Sequence, residues 1–142
     1  MPTLILIFAL AVDMASLQMH KLRLRYAVDL ATVGGATEVD APYYSRTGRL
    51  QLDPVNATAT VREYLMRNLA GMPDIAAPAA IATAADISVV NQTPGVDPYS
   101  GGRLDRPAIC ARLKAPHRFM LLGWVGVNEV ELTVVANAEI RP

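Results

Sequence analysis

Between Thr3 and Val33 the chain contains neither proline nor glycine, and its apolar residues recur at helical spacing. One α-helix of about 30 residues, roughly 45 Å long, is the expectation. A chain of 142 residues cannot enclose so long a rod on all sides, so part of this helix must face something other than its own domain. Residues 4–12 read Leu-Ile-Leu-Ile-Phe-Ala-Leu-Ala-Val, and Met14, Ala15, Leu17 and Met19 carry the apolar run to position 19. That stretch is about 28 Å long as a helix, near the hydrocarbon thickness of a bilayer. His20, Lys21, Arg23 and Arg25 follow directly. Further on, Leu22, Leu24, Ala27, Val28, Leu30, Ala31 and Val33 form the apolar face expected to meet the domain. Gly34-Gly35 should end the helix, since glycine readily takes the left-handed conformation found past a C-terminus.

Three readings of the apolar run compete. A cleavable secretory signal carries its positive charge before the apolar core, whereas here the charge comes after it. A membrane anchor fits better, yet Asp13 sits in the middle, where an ionisable group in lipid is costly. A third reading has the helix rest in the membrane first and become buried among sister helices afterwards. In that case the carriers of assembly are Leu4, Ile5, Leu6, Ile7, Phe8, Leu10, Val12 and Leu17, with Asp13 and the cations Lys21, Arg23 and Arg25. Buried charges persist mainly when paired, so Asp13 is expected to pair with a terminal amine or a cation of a neighbouring subunit and fix the register. Its alternative is a hydrated position near the membrane interface. For the cations, headgroup binding would place them on the cytoplasmic side, opposite to a displayed C-terminal domain. Pairing with Asp13 or Asp29 of a neighbour is preferred, and a solvated helix face is the bland alternative.

Composition narrows the function classes. Thirteen basic residues balance thirteen acidic ones, which disfavours a role in coating nucleic acid. Hydrophobic residues make up 52% and charged ones only 18%, an excess that points to lipid or other subunits. With one cysteine, Cys110, and two histidines, His20 and His117, there is little material for a metal centre. No cofactor is expected and the composition points away from an enzyme.

The remainder, residues 36–142, reads as a small α+β domain against which the long helix of residues 1–35 packs. Residues 36–48 look like a loop, with Tyr43-Tyr44 as packing residues, and Leu50 and Leu52 suggest a short strand. Asp53-Pro54 starts a helix whose face is Ala57, Val61, Tyr64, Leu65 and Leu69. The alanine-rich stretch to Ala85 reads as a loop or short helical turn, and Asp86–Val90 as a strand. Six Gly and Pro residues make 91–107 a long irregular loop. Ile109, Ala111 and Leu113 alternate with Cys110, Arg112 and Lys114, and a longer alternation runs from Val130 to Ile140. Those two strands belong to an antiparallel sheet of three or four, and Phe119–Trp124 between them should plug the core as a turn of helix. Asn91 and Asn56 head sequons, Asn91 being the better placed. Asp97, Ser100 and Asp105 offer oxygen ligands for calcium, against the plainer reading of a surface turn.

The segment Leu24-Arg25-Tyr26-Ala27-Val28-Asp29-Leu30-Ala31-Thr32-Val33-Gly34-Gly35-Ala36 resembles a signature of the TadE/TadG-like proteins of tight-adherence pili. Leu24, Ala27, Asp29, Ala31, Gly35 and Ala36 match it, and Arg25 stands where glutamine is usual. Leu10-Ala11-Val12-Asp13 is similar to the end of that family's apolar part, and Pro116, Phe119 and Leu121-Leu122-Gly123 resemble its C-terminal half. The resemblance implies a type IV pilin-like architecture and a structural pilus subunit, inserted in the inner membrane and then displayed at the cell surface in a helical homopolymer. A pilus assembly machinery and a leader peptidase are its implied partners. Ile5 stands where type IV pilins carry a glutamate. Two alternatives stay open: a low-copy anchored assembly or tip protein, and an anchored binding or enzymatic domain that uses the 91–107 loop.

Overall fold

Helix α1 (Pro2–Gly35) runs 34 residues without interruption, about 51 Å. The computed structural model describes residues 2–141. After α1 come α2 (Ala41–Thr47), α3 (Pro54–Ala70) and α4 (Pro78–Ala84). The strands β1 (Asp86–Val90), β2 (Gly95–Val96), β3 (Arg103–Leu104), β4 (Ala108–Arg118) and β5 (Glu129–Glu139) follow, with a 3₁₀ turn at Leu122–Val125. The fold is α+β, a long N-terminal apolar helix with a small antiparallel sheet, as the sequence predicts.

The sheet has the order β1-β4-β5, and β2 and β3 form a separate two-residue ribbon in the 91–107 loop. β4 pairs with β5 along its whole length, from Ala108 opposite Glu139 to Arg118 opposite Glu129. β1 reaches only Ala108–Arg112. Beyond Arg112 the hairpin therefore continues as a two-stranded ribbon, and Pro116 lies there, where only one neighbour needs ladder bonds.

One core lies between α1, α3, α4 and the sheet. Leu24, Val28 and Ala31 of α1 meet Val61, Leu65 and Leu69 of α3 and Ile109, Leu113 and Val134 of the sheet. On the opposite side of β4, Leu104, Ala108 and Cys110 form a smaller cluster under Val90 and Tyr99. Cys110, expected as a plain strand residue, is thus sealed by the loop. Burial pushes its thiol up to about 12, the nearby Asp97 adding to the rise.

Local chemistry explains the elements. Asp53 caps α3 by accepting from the N–H groups of Val55 (2.9 Å) and Asn56 (3.1 Å), with Pro54 at the first helical position. The stretch expected as a loop at 36–48 contains α2, because Asp40 accepts from the Tyr43 N–H and Gly48 at φ 67° closes the helix. Leu52 makes a single bridge to Val39 in place of a strand, and Tyr64 is exposed in place of lying on the core face of α3. Phe119–Trp124 does form helical turn, but outside the core: Trp124 is 89% exposed.

Gly35 ends α1 for a reason other than conformation. Its φ is not positive; the domain comes too close for a side chain. A Cβ there would stand 2.5 Å from Val61 Cγ2, 3.1 Å from the Ala57 carbonyl oxygen and 3.1 Å from Ile109 Cδ1. The backbone oxygen belongs to α3 and cannot turn aside. Gly35→Ala is therefore expected to lower stability by about 1–3 kcal/mol through overpacking. Urea denaturation of the detergent-solubilised protein measures this, with exposed Gly48 left intact as the internal reference.

Candidate functional site

Helix α1 carries two apolar stripes. The inner one, Asp13, Leu17, His20, Leu24, Ala27, Val28, Ala31 and Gly35, is buried or half-buried against the domain. The outer one, Phe8, Val12, Ala15, Met19, Leu22, Tyr26, Leu30 and Val33, is exposed along its whole length. Its steps are all of three or four residues, and at 100° per residue all eight fall within an arc of about 80°, centred roughly 150° from the inner stripe. Leu4, Ile5, Leu6, Ile7 and Leu10 are also exposed, which leaves the first turns apolar all round. The helix is long and apolar enough to cross a membrane by length and composition.

The expected assembly residues divide accordingly. Leu4, Ile5, Leu6, Ile7, Phe8, Leu10 and Val12 are free of the domain, whereas Leu17 packs on the core of its own chain. In the lower half, the single apolar face read from the sequence is two faces. Leu24, Ala27, Val28 and Ala31 are buried, and Leu22, Leu30 and Val33 lie on the outer stripe with Tyr26 at 61% exposure. The signal was available in the three-and-four spacing from Phe8 to Val33.

Asp13 has its partners within the chain. It is 1% exposed and faces the end of the β4–β5 hairpin. Oδ1 accepts from the N–H groups of Met120 (3.1 Å) and Leu121 (3.3 Å), and Oδ2 from those of Leu121 (3.0 Å) and Leu122 (2.6 Å). The carboxylate thus caps the start of the 3₁₀ turn from another element, where free N–H groups and the local dipole favour a negative group. The carboxylate is thus satisfied by groups of its own chain. Met1, whose amine was one candidate partner, lies outside the described residues.

Two turns below Asp13, His20 packs against His117 of β4, with ring centroids 5.1 Å apart and planes tilted by 40°, and Phe119 meets His117 edge-on at 5.4 Å. Both rings are buried. Asp13, His20 and His117 thus join α1 to the outer half of the hairpin, a junction whose residues come from opposite ends of the chain. Of the cations, Arg25 stands 3.8 Å from Asp29 one turn on in the same helix, while Lys21 and Arg23 are exposed.

The 91–107 loop is closed upon itself. Asp97 is fully buried: Oδ1 accepts from the Tyr99 (2.8 Å) and Ser100 (3.3 Å) N–H groups, Oδ2 from Ser100 Oγ (2.6 Å) and Asn137 Nδ2 (2.7 Å). Asp105 instead pairs with Arg103 at 2.9 Å. Asp97, Ser100 and Asp105 thus do not converge on a calcium site, and no metal-holding cluster of three His, Cys, Asp or Glu occurs among the described residues. Asn91 clamps Leu52, its Oδ1 accepting from the Leu52 N–H (2.9 Å) and its Nδ2 donating to the Leu52 carbonyl (3.0 Å). Asn56 lies in the first turn of α3 and donates to Asp53. Each sequon amide is thereby tied into a structural contact.

Two outcomes test these assignments. Asp13→Ala should speed hydrogen exchange at the amides of Met120, Leu121 and Leu122 while leaving the amide of Leu69 in α3 protected; equal exchange in the two proteins would show that the carboxylate does not hold the turn. For Asp97, burial alone would raise the carboxyl, but the bonds from Ser100, Asn137 and the Tyr99 N–H outweigh it and hold it below the usual carboxylate range. A carboxyl lowered in the folded state stabilises above its unfolded value, near pH 4, and that contribution disappears as pH falls through the folded value. Asp97→Ala should cost about 1–3 kcal/mol at neutral pH, since it strands the Asn137 amide, with the gap to wild type narrowing in acid. Urea titrations at pH 7 and below pH 4 read it out. Comparison with known proteins adds no relative: no family model, no curated protein and no solved structure matches this chain.

Proposed function

We propose that this chain is a structural subunit of a pilus-like extracellular filament that polymerises by bundling its N-terminal helices. The observation that carries the reading is the outer stripe of α1 below the lipid-length segment: Leu22, Tyr26, Leu30 and Val33 are exposed although a folded domain covers the opposite face. A helix that served only as an anchor has no need of an apolar seam past its basic cluster. A helix that packs on sister helices does, and steps of three and four residues are the spacing that such packing uses. Arg23 on one side of the seam, and Arg25 and Asp29 on the other, then supply the polar flanks.

In this reading the subunit rests in the inner membrane through its apolar half before assembly, with a leader peptidase and an assembly machinery as partners. Sister helices later replace the lipid around Leu4–Val12, and the α+β domain remains outside at the cell surface. The resemblance to TadE/TadG-like proteins, centred on Leu24–Ala36, supports the same conclusion and favours a pilin-like architecture. A low-copy anchored subunit would share the seam, and the abundance of this chain in purified filaments separates the two.

The test is a charge placed in the seam away from the core. Leu30 is exposed, so Leu30→Glu leaves the domain folded. In a bundle the carboxylate would be desolvated among apolar side chains, a cost above the ~1.4 kcal/mol that corresponds to a tenfold change in association. Sheared filament mass should fall at least tenfold while the membrane-fraction level of the subunit is unchanged. Filaments of normal yield from Leu30→Glu would exclude the seam as the assembly surface.

A further inference from the structure

We infer that the tip of the β4–β5 hairpin, residues 119–128, is a second lipid-contacting element, entering the membrane beside α1. The inference rests on the proposed membrane-resident state of α1 and adds to it a part of the domain.

The tip is apolar and uncovered. Phe119-Met120-Leu121-Leu122-Gly123-Trp124-Val125-Gly126-Val127-Asn128 contains no charged side chain, and Arg118 and Glu129 bound it, 3.3 Å apart. Met120 is 76% exposed, and Trp124, Val125 and Val127 are exposed with it. In water such a cluster at a loop end is a liability. Among lipid acyl chains the same side chains need no covering, and the indole of Trp124 is mostly apolar surface.

Its backbone is also prepared for lipid, where an unpaired peptide group is expensive. The Phe119 N–H donates to the Asn128 carbonyl (3.0 Å), Trp124 to Leu121 (3.3 Å), Gly126 to Gly123 (3.2 Å) and Val127 to Leu122 (3.2 Å). The N–H groups of Met120, Leu121 and Leu122 are the three that Asp13 takes.

The levels agree as well. Asp13 fixes the tip beside the middle of the apolar run, which continues to Met19 before Lys21 brings the first basic side chain exposed to solvent. His117 lies beside His20, so the hairpin's last charged pair, Arg118–Glu129, stands within about a turn of the level at which the helix becomes charged. Helix and hairpin thus change from charged to apolar at nearly the same height, as two elements entering one apolar layer must.

Trp124 is the only tryptophan in the chain, so its fluorescence reports on the tip alone. The full chain would be reconstituted into phosphatidylcholine–phosphatidylglycerol vesicles, with resistance to alkaline carbonate extraction as the independent readout of helix insertion. The expected result is blue-shifted emission, quenched by lipids brominated on their acyl chains and not by aqueous iodide. The same quenching pattern from Met120→Trp in a Trp124→Phe background would support the placement from a second position. Carbonate-resistant protein whose tryptophan is quenched by iodide and not by brominated lipid would overturn the inference and leave the inserted helix standing. Blue-shifted emission resistant to both quenchers would overturn it in favour of a second copy of the chain on the tip. Loss of the protein from the vesicles in carbonate would overturn both.

Discussion

The inner stripe of α1 is the surface on which the rest of the chain is laid. A three-stranded sheet with α3 and α4 beside it cannot close a core, and the gap is filled by Leu24, Val28 and Ala31 of the long helix. Burying an aliphatic side chain of this size contributes about 1.5–3 kcal/mol relative to leaving it in water, so these contacts are a sizeable share of what holds so small a domain together. Ala27, Ala31 and Gly35 keep that face shallow, which lets α3 and β4 approach until no Cβ fits at Gly35. The lower half of α1 is thus core on one face and exposed apolar stripe on the other, and the apolar content of the chain reflects both.

The hairpin reaches the apolar half of α1 because strand and helix cover distance at different rates. The hairpin meets α1 near Gly35 through Ile109 of β4 and again at Asp13 through Met120, two residues past the strand, eleven residues on in the hairpin and twenty-two back along the helix. At about 3.3 Å per residue for a strand and 1.5 Å for a helix, those are roughly 36 and 33 Å. The two elements therefore stay alongside each other without a break, and the ribbon beyond β1 is the length needed to bring Met120, Leu121 and Leu122 to the carboxylate. His20 and His117 occupy the intermediate contact, two helical turns below.

Much of this architecture was legible from local signals. The absence of Pro and Gly gave α1, Asp53-Pro54 gave the start of α3, and the period-two alternations gave β4 and β5. What was missed is set mostly by partners distant in sequence, α2 excepted. The Asp40 cap of α2 is strong but short-ranged, and a seven-residue helix gives little periodicity to read. The partners of Asp13 lie 107 to 109 residues away and are backbone groups, which no side-chain pattern announces. Asp97 reads as a ligand from composition because its true partners, Ser100 and Asn137, are visible only once the loop folds over β5. Exposure was the other failure. An apolar run such as Phe119–Trp124 is assigned to the core by default, and only the placement of the hairpin end beyond the sheet reverses that.

Asp13 also resolves a difficulty that the sequence poses in its starkest form, an acid in the middle of an apolar helix. An ion pair with a neighbour would satisfy it in a filament but leave it exposed to lipid beforehand, so the subunit would be costly in one state to be stable in the other. Backbone N–H groups of the same chain travel with the helix. Under the proposed function the carboxylate would keep the same hydrogen bonds whether lipid or sister helices surrounded Leu10, Val12 and Met14, and neither environment would have to supply a counter-charge. A carboxylate suits this better than an amide, because it accepts at both oxygens and brings no N–H of its own that would need a partner. The residue that looked least compatible with an apolar helix is then what fastens the folded domain to that helix at the level of its apolar half.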